Sequence, residues 1–242
     1  MRKPVPDRKP PNQWQFRKYA DVGTSEEFVR QLLELHEILK GTNIFDPERE
    51  KVNDALGDIQ MEGLLPAFLE LRKIRESVAK DLPVLDRLQM YEDLARKLWK
   101  SYKDLTQPAA RLMGFDIGFL FKNEKNFEVG LKKFRELNPS APDVFEKFLQ
   151  DTRVAWQNKL ADFRNKIVEH PSAGRGAYKN FYQVEFAEAL FNAVWRTIVT
   201  ILAMLLSVRL PEQFIMVDQG SNDPKREWPN RFRFYLNGVQ LP

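Results

Sequence analysis

Arg164, Asn165 and His170 are the residues of this sequence whose types and spacing best suit chemistry. Histidine titrates near neutrality, so it can take or give a proton at ordinary pH. Arginine presents a planar fork that bonds phosphate oxygens and stays charged throughout. Asparagine can orient either group, or hold the backbone at a helix end. Asn165 follows the arginine directly, and five residues separate Arg164 from His170. Together these are the parts of an acid–base centre for an anionic substrate, and such a centre needs no metal.

A second pair, Arg30 and His36, repeats the spacing. It falls inside a continuous amphipathic helix, where six steps of about 100° leave the two side chains about 120° apart. The first pair differs because Pro171 follows the histidine. A residue before proline disfavours the helical conformation. His170 can therefore leave the helix and turn back toward the arginine, or toward a second subunit. A purely structural alternative stands beside this one. Arginine and asparagine are both favoured at a helix C-terminus, and His170 would then be an exposed loop residue.

Other chemistries are narrowed by composition. Cysteine is absent, which excludes thiolate catalysis and disulfides. With two histidines there is no histidine-rich metal site, and no carboxylates have convincing metal spacing. No glycine-rich phosphate loop and no Ser-His-Asp arrangement is visible, and no cofactor is expected. Asp151, Asp162 and Glu169 lie near the motif, and charge balance on exposed helix faces is the role expected of them.

The elements that must position the motif are helical. Residues 1–23 read as an extended arm rich in proline and basic groups. Residues 24–82 read as N-terminal helices packed on the rest. Thr24 and Glu27 have capping-box spacing, and Gly41 is a stop. Asp46-Pro47 opens the next helical stretch, which Gly57, Gly63 and Pro66 interrupt. A helix is expected over 64–81. Another is expected over 83–105, with Leu85, Leu88, Tyr91, Leu94, Leu98 and Tyr102 at helical spacing. Residues 106–123 read as irregular because of Pro108, Gly114 and Gly118. A helix over 124–137 ends at Asn138-Pro139.

Two long helices flank the motif. The first runs from Asp143 toward Ile167, with the stripe Phe145, Phe148, Trp156, Leu160, Phe163 and Ile167. A loop rich in glycine, serine and alanine spans 171–179. The second helix, 181–209, is apolar on most sides, and Glu185, Glu188, Asn192, Arg196, Thr200 and Ser207 form one narrow polar stripe. Such a helix is central to a core, or is partly buried by a second subunit. Its uncharged run from Thr197 to Val208 has twelve residues between Arg196 and Arg209, short of the 18 or so a membrane span wants. A buried helix is expected, with no membrane partner. After Pro211, residues 214–217 and 231–236 read as short strands, making a possible hairpin within 211–242. The fold class is therefore all-α, with a short irregular or β segment at the C-terminus.

The Arg164-Asn165…His170 segment resembles the signature of the HEPN superfamily (higher eukaryotes and prokaryotes nucleotide-binding domains). That signature is an arginine, usually followed by Asn, Asp or His, with a histidine after four to six intervening residues. The resemblance covers 83–210 and implies an antiparallel helical bundle, with the motif at the end of one long helix before the loop to the next. In catalytic members cleavage of RNA is metal-independent, and two subunits usually pair their motifs into one composite site. Some members only bind nucleotides or protein partners. RNA carries its own nucleophile, the 2′-OH. On this resemblance His170 is the general acid or base and Arg164 stabilises the phosphate. The chain would be a homodimeric endoribonuclease, with helix 181–209 a candidate for the paired surface. A toxin or defence setting, with a neutralising antitoxin protein, is implied by resemblance alone.

Charge adds RNA contacts to these expectations. The net charge is +4 and the pI about 9.1, mildly favouring an anionic partner. Lys166, Arg175 and Lys179 flank the motif and could track an RNA backbone, or simply edge a solvated loop. Arg196 and Asn192 could face the motif from the next helix. Trp228, Phe232, Phe234 and Tyr235 interleave with Lys225, Arg226, Arg231 and Arg233, which suits either base stacking or packing of a hairpin. The start lacks an apolar secretory segment, and a cytoplasmic location is expected.

Overall fold

The computed structural model describes residues 13–15, 35, 48–80, 82–139, 141, 143–170, 174–209, 214–218 and 232–237. Arg30, His36, Trp228 and the capping residues Thr24 and Glu27 lie outside the described residues. The described chain is mostly helical. Its helices are α1 (Arg49–Asp58), α2 (Leu65–Ala79), α3 (Val84–Trp99), α4 (Thr106–Leu112), α5 (Glu124–Leu137), α6 (Asp143–Thr152), α7 (Asn158–Phe163) and α8 (Val184–Arg209). Wide π turns at Ile59–Leu64, Lys100–Leu105 and Arg153–Gln157 join several of these into continuous rods over 49–79, 84–112 and 143–163.

These wide turns explain where the sequence expectations fail. Gly57, Gly63 and Pro66 do not break the first rod, because Pro66 sits in the first turn of α2, where its missing donor costs no helical hydrogen bond. Residues 106–112 are helical rather than irregular for the same reason, with Pro108 in the first turn of α4. Thr106 Oγ1 donates to the Ser101 carbonyl at 2.8 Å, satisfying a group in the turn just before it. Gly63 marks a close crossing of two wide turns: a Cβ there would lie 2.7 Å from Ser101 Oγ. Gly114, at φ 92°, then ends α4. Its N–H donates to Arg111, and that of Phe115 donates to Ala110, both at 2.9 Å. This is a Schellman stop, which needs a residue tolerant of positive φ.

α5 begins at Asn123, whose side chain accepts the Asn126 N–H, and ends at Asn138, whose side chain donates to the Phe134 carbonyl. A buried arginine ties the turn before α5 to the 143–163 rod. Arg153 donates to the Leu120 and Lys122 carbonyls at 3.1 and 3.2 Å, pairs with Glu124 at 3.0 Å, and lies over the Phe127 ring. A buried guanidinium is tolerable only with such partners.

α8 is the central element. Phe191, Val194, Trp195, Ile198, Ile201, Leu202, Ala203, Met204, Leu205 and Leu206 are all buried within the chain. It packs against α2, α3 and α4. One stretch, 184–206, is long and apolar enough to cross a membrane, yet 78% of its 18-residue apolar core is buried inside this chain. Most of its apolar side chains therefore have partners within the chain, as expected of a helix central to a core.

The rods 84–112 and 143–169 run side by side in opposite directions. Tyr102 meets Trp156 and donates to Gln157 at 3.0 Å, and nearer the other end α3 packs against Arg164–Glu169. Burial pushes the Tyr102 phenol up. Beyond α8, strands β2 (Phe214–Asp218) and β3 (Phe232–Asn237) pair antiparallel, with Phe214 opposite Leu236. A third strand, β1 (Gln13–Gln15), pairs antiparallel on the other side of β3. This strand lies in the segment expected as a plain extended arm.

Candidate functional site

Alpha-helical geometry gives way to a last wide turn at Arg164–Glu169, which follows α7 without a break. The turn closes with the His170 N–H donating to the Asn165 carbonyl at 3.0 Å, and His170 itself is non-helical at φ −131°, ψ 77°. The chain thus leaves the helix at the residue before Pro171, as the proline demands. Ile167 points into the core, while Asn165, Lys166 and His170 are exposed.

Arg164 is held on three sides. Its Nη1 donates to Asn165 Oδ1 at 3.2 Å, and its Nη2 lies 3.4 Å from Glu169 Oε1. Its guanidinium carbon sits 5.8 Å from the centre of the Trp99 ring, within cation–π range. Both charged side chains are about one-third exposed, so water can still reach the pair. Trp99 is buried, and its Nε1 has no hydrogen-bond partner among the described residues. The His170 imidazole has no hydrogen bond or ion pair among the described residues. Within one chain, then, Arg164 and Asn165 are brought together, while among the described residues His170 makes no hydrogen bond to the guanidinium, which Glu169 engages instead.

The flanking cations behave differently from one another. Lys166 pairs with Asp162 at 2.8 Å, and the same carboxylate accepts the Tyr178 hydroxyl at 2.5 Å. Those two bonds, Lys166 first, hold the Asp162 carboxyl below its usual range. Arg175 donates through Nε to Glu92 at 2.9 Å, and the Tyr182 hydroxyl reaches the same oxygen at 3.0 Å. Glu92 is buried on α3. Burial first, then the bond to Glu92, pushes Tyr182 up to about 12. Lys179 is exposed. Arg196 lies on α8 with its guanidinium 5.4 Å from the centre of the neighbouring Trp195 ring, and Trp195 in turn donates to Asn192.

The segment after the motif is not the plain loop expected over 171–179. Arg175–Tyr182 forms 3₁₀ turns. Phe163, wholly buried, stacks face to face on Phe181 with centroids 4.2 Å apart, and Tyr178 and Tyr182 close around it edge-on. Sequence reasoning missed Glu92, Trp99 and this aromatic clasp. Glu92 did leave a signal: it lies four residues after Leu88 and seven before Trp99, so it shares their helix face. A carboxylate on an apolar face needs partners brought by another segment. The clasp aromatics Tyr178, Phe181 and Tyr182 are equally visible, at spacings of three and four from Tyr178.

The arrangement offers one anchored cation and one exposed imidazole on the same helix end. It can bind an anion at Arg164 and exchange a proton at His170. Among the described residues no three His, Asp or Glu side chains converge as a metal site. Comparison of the chain with protein-family models, with curated proteins and with solved structures returns no match.

Proposed function

We propose that this chain is a metal-independent endoribonuclease of the HEPN type, in which Arg164, Asn165 and His170 serve the reaction. The observation that carries the proposal is the helix end itself. Arg164 is fixed on the last wide turn by Asn165 and Trp99, and the chain departs at His170 with its imidazole exposed. The resemblance of the segment to the HEPN signature and the helical character of the chain support the same reading.

Cleavage requires a base for the 2′-OH, an acid for the leaving 5′-oxygen, and positive charge on the phosphorane-like transition state. His170 supplies proton transfer, worth about 10²–10⁴-fold where such a group is well placed. Arg164 supplies charge and fixed donors at the phosphate. Asn165 restrains the guanidinium. The HEPN resemblance implies that a second copy of the chain contributes a second imidazole in a composite site, so that one imidazole serves as base and the other as acid. Lys179 is a further cation for the RNA backbone, and Arg196 is another; Lys166 and Arg175 serve the fold first through Asp162 and Glu92. The setting is that of a cytoplasmic toxin or defence effector, and an antitoxin protein is the natural partner of such a chain.

The test is RNA cleavage in excess EDTA. The proposal expects cutting to persist and to leave 2′,3′-cyclic phosphate ends. Abolition by EDTA, or products lacking the cyclic phosphate, contradicts it. A non-catalytic module binding nucleotides or a protein partner is the second reading. The Arg164–Glu169 pair favours its protein-binding form, because a carboxylate there leaves the guanidinium less available to any phosphate.

A further inference from the structure

We infer that Glu169 is a built-in counterion that occupies the Arg164 anion site in the free protein and must give way when a phosphodiester binds. The inference concerns regulation of the site proposed above, and it rests on that reading only for the nature of the ligand.

The geometry shows how the exchange would work. Arg164 has two outward donors in use: Nη1 to Asn165 at 3.2 Å and Nη2 to Glu169 at 3.4 Å. The first partner is neutral and adjacent in sequence, so it can stay in place when an anion arrives. The second is a carboxylate, and a phosphate oxygen wants the same charge-complementary position. The 3.4 Å separation is long for a charge-assisted bond, so this pair is an ion pair rather than a tight bidentate lock. Both side chains keep about one-third of their surface open, which gives an incoming anion access. Trp99 backs the guanidinium from the core side. The fork is therefore held while its counterion is exchanged. Glu169 also adjoins His170 in the chain, so a displaced carboxylate remains beside the imidazole.

No bond is made or broken in this step; one ion pair replaces another. Its cost is the weak pair itself. Partly exposed pairs are weak, so removing the competitor should tighten phosphodiester binding only about two- to fivefold.

The experiment measures binding of a short 2′-O-methyl RNA, which cannot be cut, to the full chain and three variants. Glu169→Gln is expected to bind about two- to fivefold tighter than the unaltered chain. Arg164→Ala is expected to bind more weakly. The double variant Arg164→Ala/Glu169→Gln is expected to match Arg164→Ala, because without the guanidinium there is nothing for Glu169 to occupy. Glu136→Gln, an exposed carboxylate on α5, controls for net charge and should change nothing. Equal tightening by Glu169→Gln with and without Arg164 overturns the inference, as does tightening by Glu136→Gln, no tightening at all, or an absence of binding. Circular dichroism and melting curves confirm that each variant is folded. Cleavage plays no part in this cycle. A chain that fails to cut RNA yet shows the Arg164–Glu169 coupling would refute the ribonuclease reading and leave this inference standing.

Discussion

Two neighbouring segments, Arg164–His170 and Arg175–Tyr182, meet the same helix α3 in opposite ways. The second is closed. Its arginine and a tyrosine converge on the buried Glu92, another tyrosine bonds Asp162, and its aromatics clasp Phe163. The first is open. Its guanidinium has one neutral partner and one long ion pair, and its imidazole is exposed. Polar groups whose partners are complete inside the fold stabilise it. Groups left with loose partners at a surface are the ones free to meet a ligand. The contrast separates Arg175, whose guanidinium bonds the buried Glu92, from Arg164, whose ionic partner is long and loosely held.

Substitutions should expose this contrast, beginning with the closed segment. Phe163→Ala removes a wholly buried ring from the centre of the clasp and is expected to cost about 3–5 kcal/mol in denaturant unfolding. Little loss of stability would mean that the clasp does not hold the segment. Glu92→Ala takes the acceptor from two donors, and a loss of about 2 kcal/mol is expected, partly offset because Arg175 is half exposed and regains water. Glu92→Gln keeps a carbonyl oxygen for Tyr182 and should lose less.

The pH dependence of stability should carry the same signature at both extremes. Tyr182 is raised in the folded chain to about 12. Its contribution is therefore full below the ordinary tyrosine value near 10 and is lost as pH rises toward and through about 12. Tyr182→Phe should flatten that alkaline loss in thermal melts. Asp162 is lowered, so its contribution is present above the ordinary carboxylate value near 4 and is lost as pH falls below it. Asp162→Asn should remove part of the acid sensitivity. The smallest effect belongs to the open segment. Arg164→Ala should change stability by no more than about 1 kcal/mol, since its pair is about one-third exposed. A larger loss would make Arg164 a structural residue and erase the contrast.

Much of this was legible in the sequence, and the failures have physical causes. The apolar run of α8 announced a buried helix, although not whose side chains would cover it; the answer is α2, α3 and α4. Pro171 announced the departure of the chain at His170. Pro66 and Pro108 misled, because a proline breaks a helix interior but fits a first turn, and the wide turns before them are invisible to a period of 3.6 residues. At the site, Arg164 and Asn165 could be found from their types, but Glu169 read as simple charge balance. Its pairing depends on the wide turn of Arg164–Glu169, which sequence periodicity does not foresee. The Glu92 latch was missed because its two donors lie 83 and 90 residues away in the chain. Long-range polar pairs leave no local pattern.

The central claim is that the exposed imidazole at the end of the Arg164–Glu169 turn performs the chemistry. The most direct test compares the RNA-cleaving rate of the His170→Ala variant with that of the unaltered chain, alongside their melting temperatures. The account predicts a rate lower by about a hundredfold or more, with an unchanged melting temperature because the side chain is exposed. Undiminished cutting by His170→Ala would contradict it.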